Sequence, residues 1–104
     1  MKGHTFSERV IKLALSIPRG RVTTYGDLAR AAGGTPMTAQ SVSGILGKAE
    51  KDGIKNIPWH RIVYSGGRIW INDEIRTERL KLYKKEGIKV DEKGRVIDFE
   101  RIRF

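Results

Sequence analysis

The chemistry open to this chain is concentrated in the run Asn56-Ile57-Pro58-Trp59-His60-Arg61-Ile62-Val63. Pro58 fixes its own φ at about −65° and donates no backbone N–H, which stiffens the turn that carries Trp59 and His60. An imidazole is the side chain best suited to moving protons near neutral pH. An indole offers a flat apolar face and a single N–H donor. Ile62-Val63 then favours a buried strand. The same residues also fit a structural corner, with Trp59 as a core aromatic and His60 as a satisfied histidine, and the run alone leaves both readings open. The composition closes other routes. There is no cysteine, so disulfides, thiolate-bound metals and a thiolate nucleophile are excluded. Two histidines without His-x-x-x-His spacing give no expectation of zinc, and no metal or other cofactor is expected.

The elements around this run read as mainly helical. Thr5-Phe6-Ser7-Glu8 has the Thr-x-x-Glu pattern of a capping box. Phe6, Val10, Leu13, Ala14 and Ile17 follow at near-helical spacing, which predicts a helix from about Phe6 to Ile17, stopped by Pro18 and Gly20. Thr24 can cap a second helix with Asp27 in its first turn, ended by Gly33-Gly34. Thr35-Pro36 opens a third, with Thr35 as N-cap and Pro36 at the first helical position. Met37, Val42, Ile45 and Leu46 supply its buried side; Ala39, Gln40, Ser41, Ser43 and Gly44 form a small polar face. Gly47 to Lys55 reads as a polar loop. Arg61 to Val63 and Arg68 to Ile71 flank Tyr64-Ser65-Gly66-Gly67, a hairpin signal. A last helix runs from Asp73 to Gly87. The tail from Ile88 to Phe104 alternates apolar and charged residues, with a short hairpin around Glu92-Lys93-Gly94.

With 104 residues the expectation is one domain, 1–104, mainly α with a small β-hairpin wing. Two short helices joined by a Gly-containing turn resemble a helix-turn-helix, and a following hairpin stands where a winged version carries its wing. An ordinary helical hairpin has the same pattern. Charge favours the first reading: 21 Lys+Arg against 12 Asp+Glu gives a formal charge of +9, as in many nucleic-acid binders. No apolar run is long enough for a membrane span and no signal-peptide pattern is present, so the expectation is an intracellular protein without membrane contact; a monomer is expected as well.

Several segments in order then resemble the DNA-binding domain of O6-alkylguanine-DNA alkyltransferases, over roughly Thr5 to Gly87. Asn56 to Val63 is similar to the Pro-Cys-His-Arg-Val active-site motif, with Trp59 at the place of the cysteine that accepts the alkyl group. Tryptophan there marks the alkyltransferase-like proteins, which bind alkylated guanine in DNA without repairing it. Arg21 to Ala29 is similar to the segment whose Tyr sits against the phosphate 3′ of the target nucleotide, which maps onto Tyr25, preceded by Thr24. Ala39 to Leu46 resembles the recognition helix that enters the minor groove. Gln40 stands where the family has an Arg finger, and Ala39, Ser41 and Gly44 keep the small face. Tyr64 to Gly67 matches the loop that closes the base pocket, and Arg79 to Gly87 the helix whose Glu pairs with the active-site His, which maps onto Glu86. No clear counterpart of the family's hinge Asn is present, and the loop before Pro58 is longer.

The resemblance implies a non-enzymatic sensor. It binds O6-alkylguanine in double-stranded DNA through the minor groove, flips the damaged nucleotide into a pocket and marks it for nucleotide excision repair proteins. The implied pocket is Pro58, Trp59, His60, Val63, Tyr64, Ser65 and Glu86; the implied DNA contacts are Thr24, Tyr25, Ala39, Gln40, Ser41, Gly44 and Arg61. Such a protein would be nucleoid-associated in a prokaryotic cytoplasm or nuclear in a eukaryote. Two alternatives stand beside it: a repair enzyme using His60 and Glu86 as an acid–base pair, and a winged-helix regulator, whose recognition helix should carry base-reading Arg or Asn.

Overall fold

Thr5 opens the first helix as its spacing from Glu8 requires. The Glu8 amide donates to Thr5 Oγ1 at 3.1 Å, and the Glu8 carboxylate accepts from the Thr5 amide at 3.5 Å, so two amides that a helix start leaves without partners are satisfied reciprocally. In the computed structural model, which describes residues 5–69 and 74–104, α1 runs Phe6–Leu15. It stops before Ile17, since Pro18 restricts the residue ahead of it to extended backbone. The described chain forms two compact units, one drawn from residues up to Ser16 and Tyr25–Pro58, the other from Ile17–Thr24 and Trp59–Phe104.

The first unit is three helices. α2 spans Tyr25–Ala31 and α3 spans Ala39–Lys51, and each of α1, α2 and α3 packs on the other two. Val10, Ala14, Leu28, Ala29, Ala32, Val42, Leu46 and Ala49 are buried, the inward sides of three amphipathic helices. The third helix begins later and ends later than its sequence suggests. Pro36–Thr38 forms a 3₁₀ turn. Thr38 rather than Thr35 stands at the N-cap, and its hydroxyl makes no capping bond. It instead donates to the Thr35 carbonyl at 2.6 Å and accepts from the Thr35 amide at 3.0 Å. At the other end the helix runs through Gly47 to Lys51, because Leu46 and Ala49 are buried on its inner side. Burial overrides a single glycine's helix cost of about 1 kcal/mol.

Gly34 seats the turn between α2 and α3. A Cβ built there would lie 2.3 Å from Thr38 Oγ1 and 2.7 Å from the Phe6 ring, far inside contact distance. Gly34→Ala is therefore expected to destabilise the protein by about 1–3 kcal/mol, read as a lower denaturant midpoint with unchanged m-value.

The second unit holds a small parallel sheet. β1 (Thr23–Thr24) pairs with β2 (Ile62–Val63), Thr23 opposite Ile62 and Thr24 opposite Val63. The expected hairpin wing is described only in part. Among the described residues, Ser65–Gly67 is a 3₁₀ turn closed by an antiparallel bridge, Tyr64 to Arg68. Trp70 and Ile71, part of that expected hairpin, and Asp73, the expected start of the last helix, lie outside the described residues. α4 spans Arg76–Lys85. The tail folds onto the unit: Val90 bridges Val96, Arg68 bridges Arg95, and Val22 bridges Arg103. A last short helix, α5 (Phe99–Ile102), is not foreshadowed by the alternating pattern. Val22, Val63, Tyr83, Ile88, Val96 and Phe99 form the core.

Candidate nucleic-acid interface

Glu86 caps the C-terminal end of α4, and its side chain is the hub of the second unit. His60 and Arg61 reach it from a 3₁₀ turn, Trp59–Arg61, that Pro58 and β2 fix at either end. His60 Nε2 lies 2.6 Å from Glu86 Oε2. Arg61 donates from Nη2 to Oε2 at 2.8 Å and from Nε to Oε1 at 3.0 Å, a planar two-point grip that suits a carboxylate. Its Nη1 donates to the Ile17 carbonyl at 3.0 Å. The Gly20 amide donates to Oε1 at 3.0 Å. Gly20 has φ +83°, a conformation glycine adopts without the steric cost of a Cβ. Tyr83, one turn back on α4, meets the His60 ring edge-on with centroids 6.0 Å apart.

The Glu86 side chain is 6% exposed. Burial alone would raise its pKa, but the bonds from Arg61, Gly20 and His60 outweigh that and bring it down from 4.5 to about 2. With Glu86 ionised at neutral pH, His60 Nε2 is the donor of the short contact, and a neutral ring keeps Nδ1 as an acceptor.

The residues expected at a pocket fall as follows. Trp59 and His60 are half-buried on their turn; Pro58 and Val63 are buried; Tyr64 and Ser65 are exposed at the start of the loop that follows β2. A cleft of about 500 Å³ in this unit is lined by Leu80, Tyr83, Lys84, Ile88, Val90 and Ile97. None of the expected pocket residues lines it. Arg61, expected at DNA, is occupied by Glu86 and the Ile17 carbonyl, and its side chain is only 20% exposed. Thr24 is buried in β1. Among the described residues no cluster of three acidic or imidazole groups could hold a metal.

In the first unit, α2 and α3 make the helix pair expected of a helix-turn-helix, joined through Gly33-Gly34. Tyr25 is the first residue of α2 and half-buried. Gln40, Ser41 and Gly44 are exposed on α3, and Ala39 is half-buried. A Cβ built on Gly44 or Gly47 would meet no described atom within 4 Å beyond its chain neighbours and the backbone of its own helix. Met37, assigned to the buried side of this helix, is instead exposed on the turn before it. Asn56 has φ +67°, a left-handed conformation that asparagine tolerates.

A helix pair with one bare small-residue face, in a chain of charge +9, is the architecture of a DNA-binding domain. The chain belongs to the family of the 6-O-methylguanine DNA methyltransferase DNA-binding domain, whose profile matches residues 5–88. It is 35% identical over 103 residues to the DNA base-flipping protein of Escherichia coli K12, covering 99% of this chain and 77% of that one. Alkyltransferase-like protein 1 of Schizosaccharomyces pombe is 33% identical over 69 residues, 66% of this chain and 61% of that one. The crystal structure of S. pombe Atl1 with damaged DNA containing O6-carboxymethylguanine superposes with a TM-score of 0.71 at 27% identity, covering all of this chain and 98% of that one.

Proposed function

We propose that this protein is a non-enzymatic sensor of O6-alkylguanine in duplex DNA. The observation that carries the reading is an acid–base pair with no nucleophile to serve. His60 and Glu86 are joined at 2.6 Å, and the chain contains no cysteine. Transfer of an alkyl group to a thiolate is thereby excluded. Glu86 is also a poor candidate for a base acting on water. Its carboxylate is taken up by Arg61, Gly20 and His60, and a pKa of about 2 leaves it little tendency to accept a proton at neutral pH. Binding remains. The relatives named as base-flipping proteins, and the Atl1 crystallised with O6-carboxymethylguanine DNA, support recognition of a damaged base by extrusion from the stack.

In this reading α3 enters the minor groove. Its exposed Gln40, Ser41 and Gly44 bring the backbone close to the duplex, and Gln40 hydrogen-bonds base edges where the target leaves the stack. Trp59 supplies an aromatic face for the extruded base, with Tyr64 and Ser65 at its rim. An O6-alkylguanine pairs poorly, so less pairing is lost when it is flipped, and selectivity follows without reaction. The bound, distorted site then serves as the mark that nucleotide excision repair proteins engage, and the sensor acts as a monomer beside the chromosome.

Tyr25 tests the flipping step. Tyr25→Ala is expected to lower affinity for an O6-methylguanine duplex by about tenfold while changing affinity for the undamaged duplex by about threefold or less. The check is a paired titration of both duplexes at one salt concentration. Equal losses on both would make Tyr25 a general backbone contact and count against extrusion.

A further inference from the structure

The turn that leads into α3 holds an apolar side chain out in water. Met37 is 83% exposed, the most exposed of the large apolar residues among those described. The turn around it is fixed. The Gly34 amide donates to the Ala29 carbonyl at 2.8 Å, and the Thr38 amide to the Thr35 carbonyl at 2.9 Å. The Thr38 hydroxyl bonds to both the carbonyl and the amide of Thr35. Gly34 leaves no space for even a methyl group against Thr38 and Phe6. A turn tied down at Gly34, Thr35 and Thr38 presents Met37 outward as a preorganised feature.

Met37 lies on the 3₁₀ turn that runs straight into α3, three residues before Gln40, and Met37, Gln40, Ser41 and Gly44 are all exposed. Met37 therefore stands exposed immediately before the N-terminal end of the stripe assigned to the minor groove. The chemistry is complementary. Gln40 can hydrogen-bond base edges but offers little surface for stacking. Minor-groove proteins that kink DNA insert apolar side chains, methionine among them, between base steps. Methionine is unbranched and polarizable, so it adapts to an irregular aromatic surface.

We propose that Met37 is an apolar wedge for the damaged duplex, entering the minor groove beside Gln40 and packing its thioether on a base face exposed when the neighbouring nucleotide is extruded. This rests on the sensor reading above and adds a residue that gives it lesion selectivity.

The experiment compares wild type, Met37→Ala and Met37→Leu on two duplexes that differ by one O6-methylguanine. Each duplex carries 2-aminopurine at the step beside that position. The alanine variant is expected to bind the lesion duplex about tenfold more weakly, as for truncation of a well-packed anchor. Its 2-aminopurine response should be smaller, with undamaged-duplex affinity and the denaturant midpoint essentially unchanged. Leucine should restore most of both signals. The salt dependence should be the same for all three, since a thioether displaces no counterions. Unchanged lesion affinity and fluorescence in Met37→Ala overturns the wedge, as does an equal loss on both duplexes. Failure of the sensor reading is separately visible, because wild type itself would then bind the two duplexes alike.

Discussion

Glu86→Ala is expected to destabilise the protein by about 3–5 kcal/mol at pH 7, the range for removing one partner of a buried ion pair. The carboxylate accepts from His60, Arg61 and the Gly20 amide. Its loss strands the Arg61 guanidinium, which is only 20% exposed, and cuts the tie between α4, the Trp59–Arg61 turn and the turn at Gly20. The pH dependence separates this from a simple packing loss. The folded-state pKa of Glu86 is about 2 against 4.5 ordinarily, so the unfolded chain binds more protons between those values. Stability from this carboxylate is therefore complete above about pH 4.5 and is lost as pH falls toward 2, worth about 3 kcal/mol in all. Glu86→Gln should accordingly differ most from wild type near neutral pH and converge on it in acid. Denaturant titrations of both at pH 7 and pH 3 make the comparison. A gap between them that is below about 1 kcal/mol at pH 7, or that does not narrow in acid, would mean the cluster is not an energetic hub.

Gly44 is expected to give changes of opposite sign in folding and in binding. It lies in the middle of α3, where alanine is favoured over glycine by about 1 kcal/mol. A Cβ there meets no described atom within 4 Å beyond its chain neighbours and its own helix backbone. Gly44→Ala should therefore raise stability by up to about 1 kcal/mol. On DNA the same methyl group would stand between the helix backbone and the groove floor. The expected loss of affinity is about tenfold for alanine and about a hundredfold for Gly44→Leu, increments of about 1.4 kcal/mol each. Thermal unfolding and a duplex titration on the same samples read both effects. Stabilised variants that bind as tightly as wild type would remove this face of α3 from the interface.

Legibility in the sequence followed the range of the interactions. The capping box at Thr5 and Glu8 is a local device, and α1 starts where it says. The helix pair α2–α3 was visible in periodicity, but Gly47 suggested an early stop because the burial of Ala49 is a tertiary fact. β2 was legible as a strand from its β-branched pair, while its partner was not. Ile62-Val63 pairs in parallel with Thr23-Thr24, almost forty residues earlier, and a parallel pair leaves no turn signature between its strands. The contact between His60 and Glu86 was implied by resemblance alone, and its distance of 2.6 Å needed the fold. Arg61 and Gly20 could not have been placed on the same carboxylate from spacing, since a convergence across 25 and 66 residues leaves no periodic trace. The exposure of Met37 was missed for a related reason. It was counted with the apolar positions of a helix that begins only after a 3₁₀ turn, and that turn rotates it away from the core.

Recognition without reaction can be read from one titration. Two short duplexes, identical except for a single O6-methylguanine, are titrated with the protein at fixed salt, because binding by a chain of charge +9 depends steeply on ionic strength. The DNA is then recovered and weighed by mass spectrometry. Tighter binding to the lesion duplex, with its methyl group and its base both intact afterwards, is the result this account predicts. Equal binding to the two duplexes, or recovery of DNA that has lost the methyl group or the base, would contradict it.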